Sequence, residues 1–219
     1  MAISKNGING SLSGKVGNVV FCKKYGINYA RSLPRKNRKK IVSESLASNR
    51  SRFKFMQQHV TKLLPVARIG FDYSSVNRSA YNSAMSYNLK SALISTEEGF
   101  KMNWEEFAFS RDISNPIYDI KLFQDEETET IHVEWQTDSE FLGKENSELF
   151  RCVLMIYPED IEKSDLNFVL YGNSIQMGKQ AILHKKSGEV YFYHVYIAFF
   201  SIDVSNRVTN SEYVGRIAW

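Results

Sequence analysis

The spacing of apolar and polar positions changes near residue 105, and the region beyond it is predicted to be all β. Apolar side chains recur there at every second position in short segments, which is typical of half-buried strands. Turn-forming runs such as QDEETE, SGE and SNRVTNS separate these segments, with no helical pattern between them. The seven predicted strands are 117–123, 130–135, 150–158, 168–172, 180–184, 191–200 and 212–218.

Seven short strands with antiparallel turn signals predict a β-sandwich of about 110 residues, of the immunoglobulin or fibronectin-III kind. The strand that ends at Trp135 is expected to place its indole in the core. Tyr191, Tyr193 and Tyr196 make one strand unusually aromatic, and we assign that strand to the centre of a sheet.

Near the start of the chain, two β-prone runs predict a hairpin. VGNVVFC (16–22) and INYARSL (27–33) flank KKYG, where Gly26 can supply the positive φ of a tight turn. Two strands alone are marginal in water, so the hairpin requires a third strand, a helix or another subunit. We predict that it docks on a partner through Val16, Val19, Val20, Phe21, Ile27 and Tyr29.

Helical spacing follows the hairpin in two stretches. The first helix is predicted to begin at the N-cap Ser43, with Glu44 in its first turn, and to end near Pro65. Its expected apolar stripe is Leu46, Phe53, Met56, Val60 and Leu63. A second helix is predicted over 75–94, with Ala80, Ala84, Tyr87 and Ala92 near one stripe. The expected fold class is therefore α+β, with a hairpin-plus-helices module at 1–98 and the sandwich at 99–219.

The distribution of charge also separates an N-terminal part of the chain from a C-terminal part. Residues 1–90 contain 17 Lys or Arg and two acids, a net charge of +15. The remaining 11 basic and 22 acidic residues give −11. Opposite fields of this kind indicate modules with different partners, or modules that attract each other within one chain or between copies.

The basic residues of the first part are dense enough to contact phosphates or an acidic protein partner. The candidate contacts are Arg35, Lys36, Arg38, Lys39, Lys40, Arg50 and Arg52. The sequence has no aromatic stacking platform of the RNA-recognition type, no zinc finger and no clear helix-turn-helix pairing. A solvated or protein-facing patch is therefore the first interpretation, with nucleic acid or an anionic lipid as alternatives.

Motifs for catalysis, cofactors or metals are missing. GSLSGK has three residues between Gly10 and Gly14 where a P-loop needs four, and Val16 stands at the position of the magnesium-binding hydroxyl. His59, His132, His184 and His194 have no metal-ligand spacing and are expected at the edge of the core. Cys22 and Cys152 are expected to be reduced thiols, and the acids at 125–129 a solvated turn. We therefore expect no enzyme, no cofactor and no small-molecule substrate.

The start of the chain lacks the apolar region of a signal peptide, and no run approaches the roughly 18 apolar residues that span a bilayer. These features predict a cytoplasmic protein without a membrane span.

Five boxes in this order resemble an uncharacterised family of Bacteroidota proteins known as a domain of unknown function. They are GSLSGKVGNVV, ARSLP, NRSRFKFMQQHVTKLLPVARIGF, SAYNSAMSYNLKSAL and NSEYVG. The resemblance covers nearly the whole chain and implies an immunoglobulin- or fibronectin-III-like C-terminal half, with no catalytic residues to transfer. Phe21 and Cys22 stand where many members continue with a glycine. The glycine-serine opening, hairpin and Arg-x-x-Phe helix also resemble small proteins encoded in phage and prophage regions.

Together these features predict a non-enzymatic structural or interaction protein. It would be a subunit of a larger, phage- or prophage-related assembly, a homo-oligomer or one with other protein partners, incorporated into a virion-like particle. The alternative is a nucleic-acid-binding protein that uses the basic N-terminal patch.

Overall fold

The computed structural model describes residues 2–5, 10–24, 26–33, 42–72, 78–97, 99–143, 146–186 and 188–219. The chain forms two compact units, residues 1–46 and 47–219. Helices and several antiparallel sheets confirm the α+β class. The boundary expected at 98/99 lies inside the second unit, because the helices there share one hydrophobic core with a sheet.

The first unit is a four-stranded antiparallel sheet in which neighbours in sequence are neighbours in space. Its strands are β1 (Ala2–Lys5), β2 (Ser11–Val16), β3 (Val19–Lys24) and β4 (Ile27–Ser32). The predicted hairpin corresponds to β3 and β4, and Gly26 has the expected positive φ of 80°. The single strand predicted over 16–22 is wrong, because the chain turns at Gly17, with φ 55°, and Asn18.

The helices are α1 (Glu44–Lys62), α2 (Leu64–Gly70) and α3 (Ala80–Ser91). The Ser43 hydroxyl accepts a hydrogen bond from the Leu46 amide at 3.4 Å, which confirms the predicted N-cap. Pro65 lies in the first turn of α2, where its missing N–H has no intrahelical acceptor to lose.

Only part of the stripe predicted for α1 is buried. Met56, Val60 and Leu63 are fully buried, whereas Leu46 and Phe53 are exposed. The difference follows from position along the helix: the core side chains of α1 begin at Met56, and the turns before it contribute none.

The acidic composition of residues 95–104 and Gly99 predict a linker or the first edge of the next module. A short hairpin, β5 (Leu93–Thr96) and β6 (Gly99–Met102), overlaps this segment. Each of the seven strands predicted beyond it is present. They are β7 (Ile117–Asp125), β8 (Thr130–Thr137), β9 (Phe150–Pro158), β10 (Asn167–Val169), β11 (Lys179–Leu183), β12 (Phe192–Ser201) and β13 (Glu212–Ala218). A short helix, α4 (Ser139–Leu142), follows β8.

These strands form two antiparallel sheets, in the orders β11-β8-β7 and β10-β9-β12-β13. One hydrophobic cluster contains side chains from both sheets, including Trp135, Leu154 and Phe199. Trp135 is buried as predicted, and its indole N–H donates to the Ile175 carbonyl at 2.9 Å.

The four-stranded sheet of the second unit is buried on both faces. Alternate residues of β9 and β12, such as Met155 and Tyr196, belong to a second cluster with Met56 and Val60 of α1. Burial on both faces explains the nearly continuous apolar sequence of β9 and β12. β12 lies between β9 and β13, which confirms the central position inferred from its aromatic residues.

No helix in the described part of the chain is long and apolar enough to cross a membrane.

Candidate interaction surface

The strand register divides the N-terminal sheet into two faces. Cross-strand partners point their side chains to the same side, and successive residues of a strand alternate. Phe21 pairs with Gly14 on β2 and Ala30 on β4, so these three residues share a side. Val20 pairs with Lys15 and Arg31 and therefore points the other way.

The first side, which we call the apolar face, contains Leu12, Gly14, Val16, Val19, Phe21 and Ala30, together with the polar residues Lys23, Asn28 and Ser32. A shallow groove of about 340 Å³ lies here, with Leu12, Phe21 and Ala30 in its wall. Val16 keeps 55% of its surface exposed and Val19 39%, although they are direct partners at the β2–β3 turn. Within the unit, none of the described side chains is buried.

The second side, which we call the basic face, combines cations with apolar groups. Its residues include Lys15, Val20, Cys22, Lys24, Ile27, Tyr29 and Arg31. Lys15 and Arg31 flank Val20 from the two neighbouring strands. The six predicted docking residues are thus split, with Val16, Val19 and Phe21 on the apolar face and Val20, Ile27 and Tyr29 on the basic face.

β4 is an edge of this sheet. Among the described strands it pairs only with β3, and all six of its residues are exposed. Every second backbone N–H and C=O of an edge strand points away from its neighbour, where another strand can pair with it. The strand contains no proline, and Arg31 is its one charged residue.

The predicted basic contacts are only partly described. Arg35, Lys36, Arg38, Lys39 and Lys40 lie outside the described residues. Arg50 and Arg52 lie on α1, where Arg50 is exposed and the Nε of Arg52 is buried without a hydrogen-bond partner. Two positions on a helix are about 200° apart around its axis, so these two side chains do not form one patch.

Three of the four histidines are buried in the second unit, and His132 is half-buried on β8 with its Nε2 2.7 Å from the Thr130 hydroxyl. His194 stacks on Trp104 with ring centroids 4.1 Å apart. Burial lowers the pKa of His59 and of His194 to about 4. The described residues contain no group of three His, Cys, Asp or Glu that could hold a metal ion.

The two thiols differ in burial. Cys152 is buried and Cys22 half-buried, and neither forms a disulfide. Burial raises the pKa of the Cys152 thiol, which makes its reactive thiolate form less accessible.

The sequence did not predict that Leu12, Lys15, Ala30 and Arg31 belong to the two faces of the N-terminal sheet. Their grouping depends on which residues stand opposite each other, and the turn at Gly17 and Asn18 sets that register. The glycine-asparagine pair itself was the available signal for this turn.

Fold and surface together define an α+β protein that has an exposed, single-layer N-terminal sheet and a second unit with a large core. The chain belongs to DUF6266, a family of unknown function, whose sequence model matches residues 11–215. This match confirms the inferred membership of an uncharacterised family. No curated protein matches the chain.

Proposed function

We propose that this chain is a non-enzymatic structural or interaction protein, a subunit of a larger assembly that docks through its N-terminal sheet. The observation that carries the proposal is the apolar face, because Val16 and Val19 lie exposed side by side in a sheet with no buried side chain among those described. When a partner covers apolar surface of this kind, the association is stabilised by about 25 cal/mol for each Å² buried. A phage- or prophage-related particle is one setting that suits such a subunit.

The edge strand β4 supplies the specificity of this docking. A partner strand that pairs with Ile27–Ser32 would extend the sheet by main-chain hydrogen bonds, and alternate side chains would then contact the partner. Covering the apolar face and pairing the edge are separate contributions that one partner can make together.

The first experiment measures the mass of the purified full-length protein by light scattering over a wide concentration range. We expect a discrete mass above that of the monomer, which is 25.2 kDa, and we expect it to survive nuclease treatment. The Val19→Asp variant should shift the protein towards monomer, because a carboxylate would be desolvated when a partner covers the face. A strictly monomeric wild-type protein over the whole range would refute the proposal.

Two further variants separate docking from folding. Val204→Asp places the same charge at a fully exposed position of the second unit and should leave the mass unchanged. Val19→Thr keeps the β-branched side chain that suits a strand, so a smaller loss of association with an intact circular-dichroism spectrum would exclude unfolding as the cause.

A second candidate function, nucleic-acid binding, is favoured by the basic face, where Lys15 and Arg31 stand on either side of Val20. It predicts binding that weakens steeply with salt. Binding should be lost when Arg35, Lys36, Arg38, Lys39 and Lys40 are replaced by glutamine. Binding that is undiminished in that variant would eliminate this candidate.

We also propose that residues 117–218 are a sandwich of the immunoglobulin or fibronectin-III kind. Sheets of three and four antiparallel strands, with a hydrophobic cluster drawn from both, support this assignment. The connection from β8 to β9 leads from one sheet to the other, as does the connection from β11 to β12.

A further inference from the structure

A groove of about 640 Å³ lies on the second unit, between α1 and two loops that flank strands β9 and β12. It is lined by Phe55, Gln58, His59, Pro158–Ser164 and Glu189–Phe192. Four of these residues are acidic, Glu159, Asp160, Glu162 and Glu189, whereas Lys163 is the only cation among them. We call this site the acidic groove.

His59 gives the groove a buried hydrogen-bond acceptor. The side chain is 93% buried, and its Nδ1 lies 3.0 Å from the Tyr157 hydroxyl, which itself donates to the His59 carbonyl at 3.2 Å. Since that hydroxyl has one proton, Nδ1 must be the donor towards Tyr157, and Nε2 carries the lone pair. No hydrogen bond to Nε2 occurs within the described residues.

The histidine keeps this acceptor at neutral pH. Burial lowers the pKa of His59 to about 4, so the ring is uncharged. The Nε2 atoms of His184 and His194 are fully buried without a hydrogen-bond partner, whereas the Nε2 atom of His59 is not fully buried. Because the His59 ring lines the groove, its Nε2 atom can accept a hydrogen bond from a donor group that binds there.

The rim of the groove already binds one guanidinium group. Arg216 donates to the Glu159 carboxylate at 2.7 and 2.9 Å, and its guanidinium carbon lies 3.8 Å from the centroid of the Phe192 ring. A carboxylate beside an aromatic face is a favourable combination for an arginine or lysine side chain. Elsewhere in the groove, the carboxylate of Glu162 has no partner among the described residues, and Phe55 and Tyr191 supply aromatic surface.

We propose that the acidic groove binds the basic segment 35–40, RKNRKK, of a second copy of this chain. The inference rests on the proposed function, since it names one contact through which copies of the subunit associate. Five cations in six residues complement a groove in which Arg216 pairs with Glu159 and Lys163 with Asp160, while Glu162 and Glu189 add two further negative charges. A bound arginine or lysine donates to Glu162 and to Nε2 of His59, while its charge faces Phe55 or Tyr191.

The experiment measures self-association of the full-length protein by sedimentation equilibrium. Glu162→Gln removes the unpaired carboxylate and should raise the dissociation constant on the order of tenfold. Glu127→Gln is the matched control, because it removes an exposed acid of the same unit outside the groove and should leave the constant unchanged. Raising the salt concentration should weaken the wild type more than the Glu162→Gln variant.

A mixing experiment identifies the source of the bound segment. One variant carries Glu162→Gln with Asp160→Asn, and the other has glutamine at Arg35, Lys36, Arg38, Lys39 and Lys40. Each should associate weakly alone, whereas an equal mixture should recover association, since the intact groove of one variant can bind the intact segment of the other. No recovery on mixing would overturn the proposal.

The outcomes separate this inference from the proposed function. Wild-type oligomers that persist unchanged in the Glu162→Gln variant would overturn the groove contact and leave docking through the N-terminal sheet in place. A wild-type protein that stays monomeric throughout would overturn both.

Discussion

The two four-stranded antiparallel sheets of this chain have the same strand count and opposite environments. In the sheet β10-β9-β12-β13, helices pack on one face and a second sheet on the other, and nine of the ten residues of β12 are buried. In the sheet β1-β2-β3-β4, every residue of β4 is exposed. Hydrogen-bonded strand pairing is common to both, so pairing does not determine where the stability of the molecule resides.

Side-chain volume accounts for the difference. β12 carries Tyr196, Phe199 and Phe200, all fully buried, and the burial of such side chains contributes roughly 1.5–3 kcal/mol each. β2 carries serine, glycine and lysine beside Leu12 and Val16. The second unit is therefore expected to supply most of the free energy of unfolding, whereas the N-terminal sheet is free to act as a contact surface.

The strongest test of this comparison removes one phenylalanine from each sheet. Phe199 is fully buried against Trp135, with ring centroids 5.2 Å apart, so Phe199→Ala should lower the free energy of unfolding by about 3–5 kcal/mol. Phe21 lies half-buried on the apolar face, and Phe21→Ala should cost less than about 1 kcal/mol. Urea denaturation, followed by tryptophan fluorescence, measures unfolding of the second unit in both variants, because all three tryptophans belong to that unit.

The Phe21→Ala variant should also differ from the wild type in self-association. Phe21→Ala should weaken the self-association measured by light scattering, although it barely changes unfolding of the second unit. Equal losses of stability in the two variants would show that the N-terminal sheet contributes to the core, contrary to the division proposed here.

Periodicity predicted the strands of the second unit well, because their buried positions are large and apolar. β9 and β12 read as strands even without strict alternation, since residues on both of their faces are buried. Residues 95–104 were interpreted as a linker or the first edge of the next module, because two four-residue strands are too short to produce a clear period.

The surface sites were less predictable than the core. Splitting Val16, Val19 and Phe21 from Val20, Ile27 and Tyr29 required the strand register, which a run of apolar letters does not reveal. The acidic groove joins side chains from α1 with residues about a hundred positions later in the chain, such as His59 and Glu162. No linear spacing connects them, so only the folded chain places them together.

Lowering the pH should destabilise the second unit through its histidines, because all four histidines of the chain belong to that unit. Burial lowers the pKa of His59 and His194 from 6.5 to about 4, so the unfolded chain binds more protons than the folded chain between these values. Stability is therefore full above pH 6.5 and falls as the pH drops towards 4. The loss should be on the order of 1–2 kcal/mol per histidine once solvent screening is included.

Urea denaturation at a series of pH values between 7 and 4 measures this dependence. His194→Gln removes one titrating group, so the variant should be less stable at pH 7 and yet have a flatter pH profile. A profile as steep as that of the wild type would show that His194 does not contribute to it.

The smallest expected effect concerns the turn between β3 and β4. Gly26 has a φ of 80°, and an added Cβ would meet nothing within 4 Å, so the cost of Gly26→Ala is backbone strain alone, about 1 kcal/mol. Gly188 has equally open surroundings without a positive φ, and Gly188→Ala should raise stability by about 0.4–1 kcal/mol, because alanine restricts the unfolded chain more than glycine does. Hydrogen exchange should show faster exchange of β3 and β4 amides in Gly26→Ala, with amides of β9 and β12 unchanged. If the core amides also exchanged faster, the two units would unfold together, and a sheet without buried side chains would then be coupled to the core.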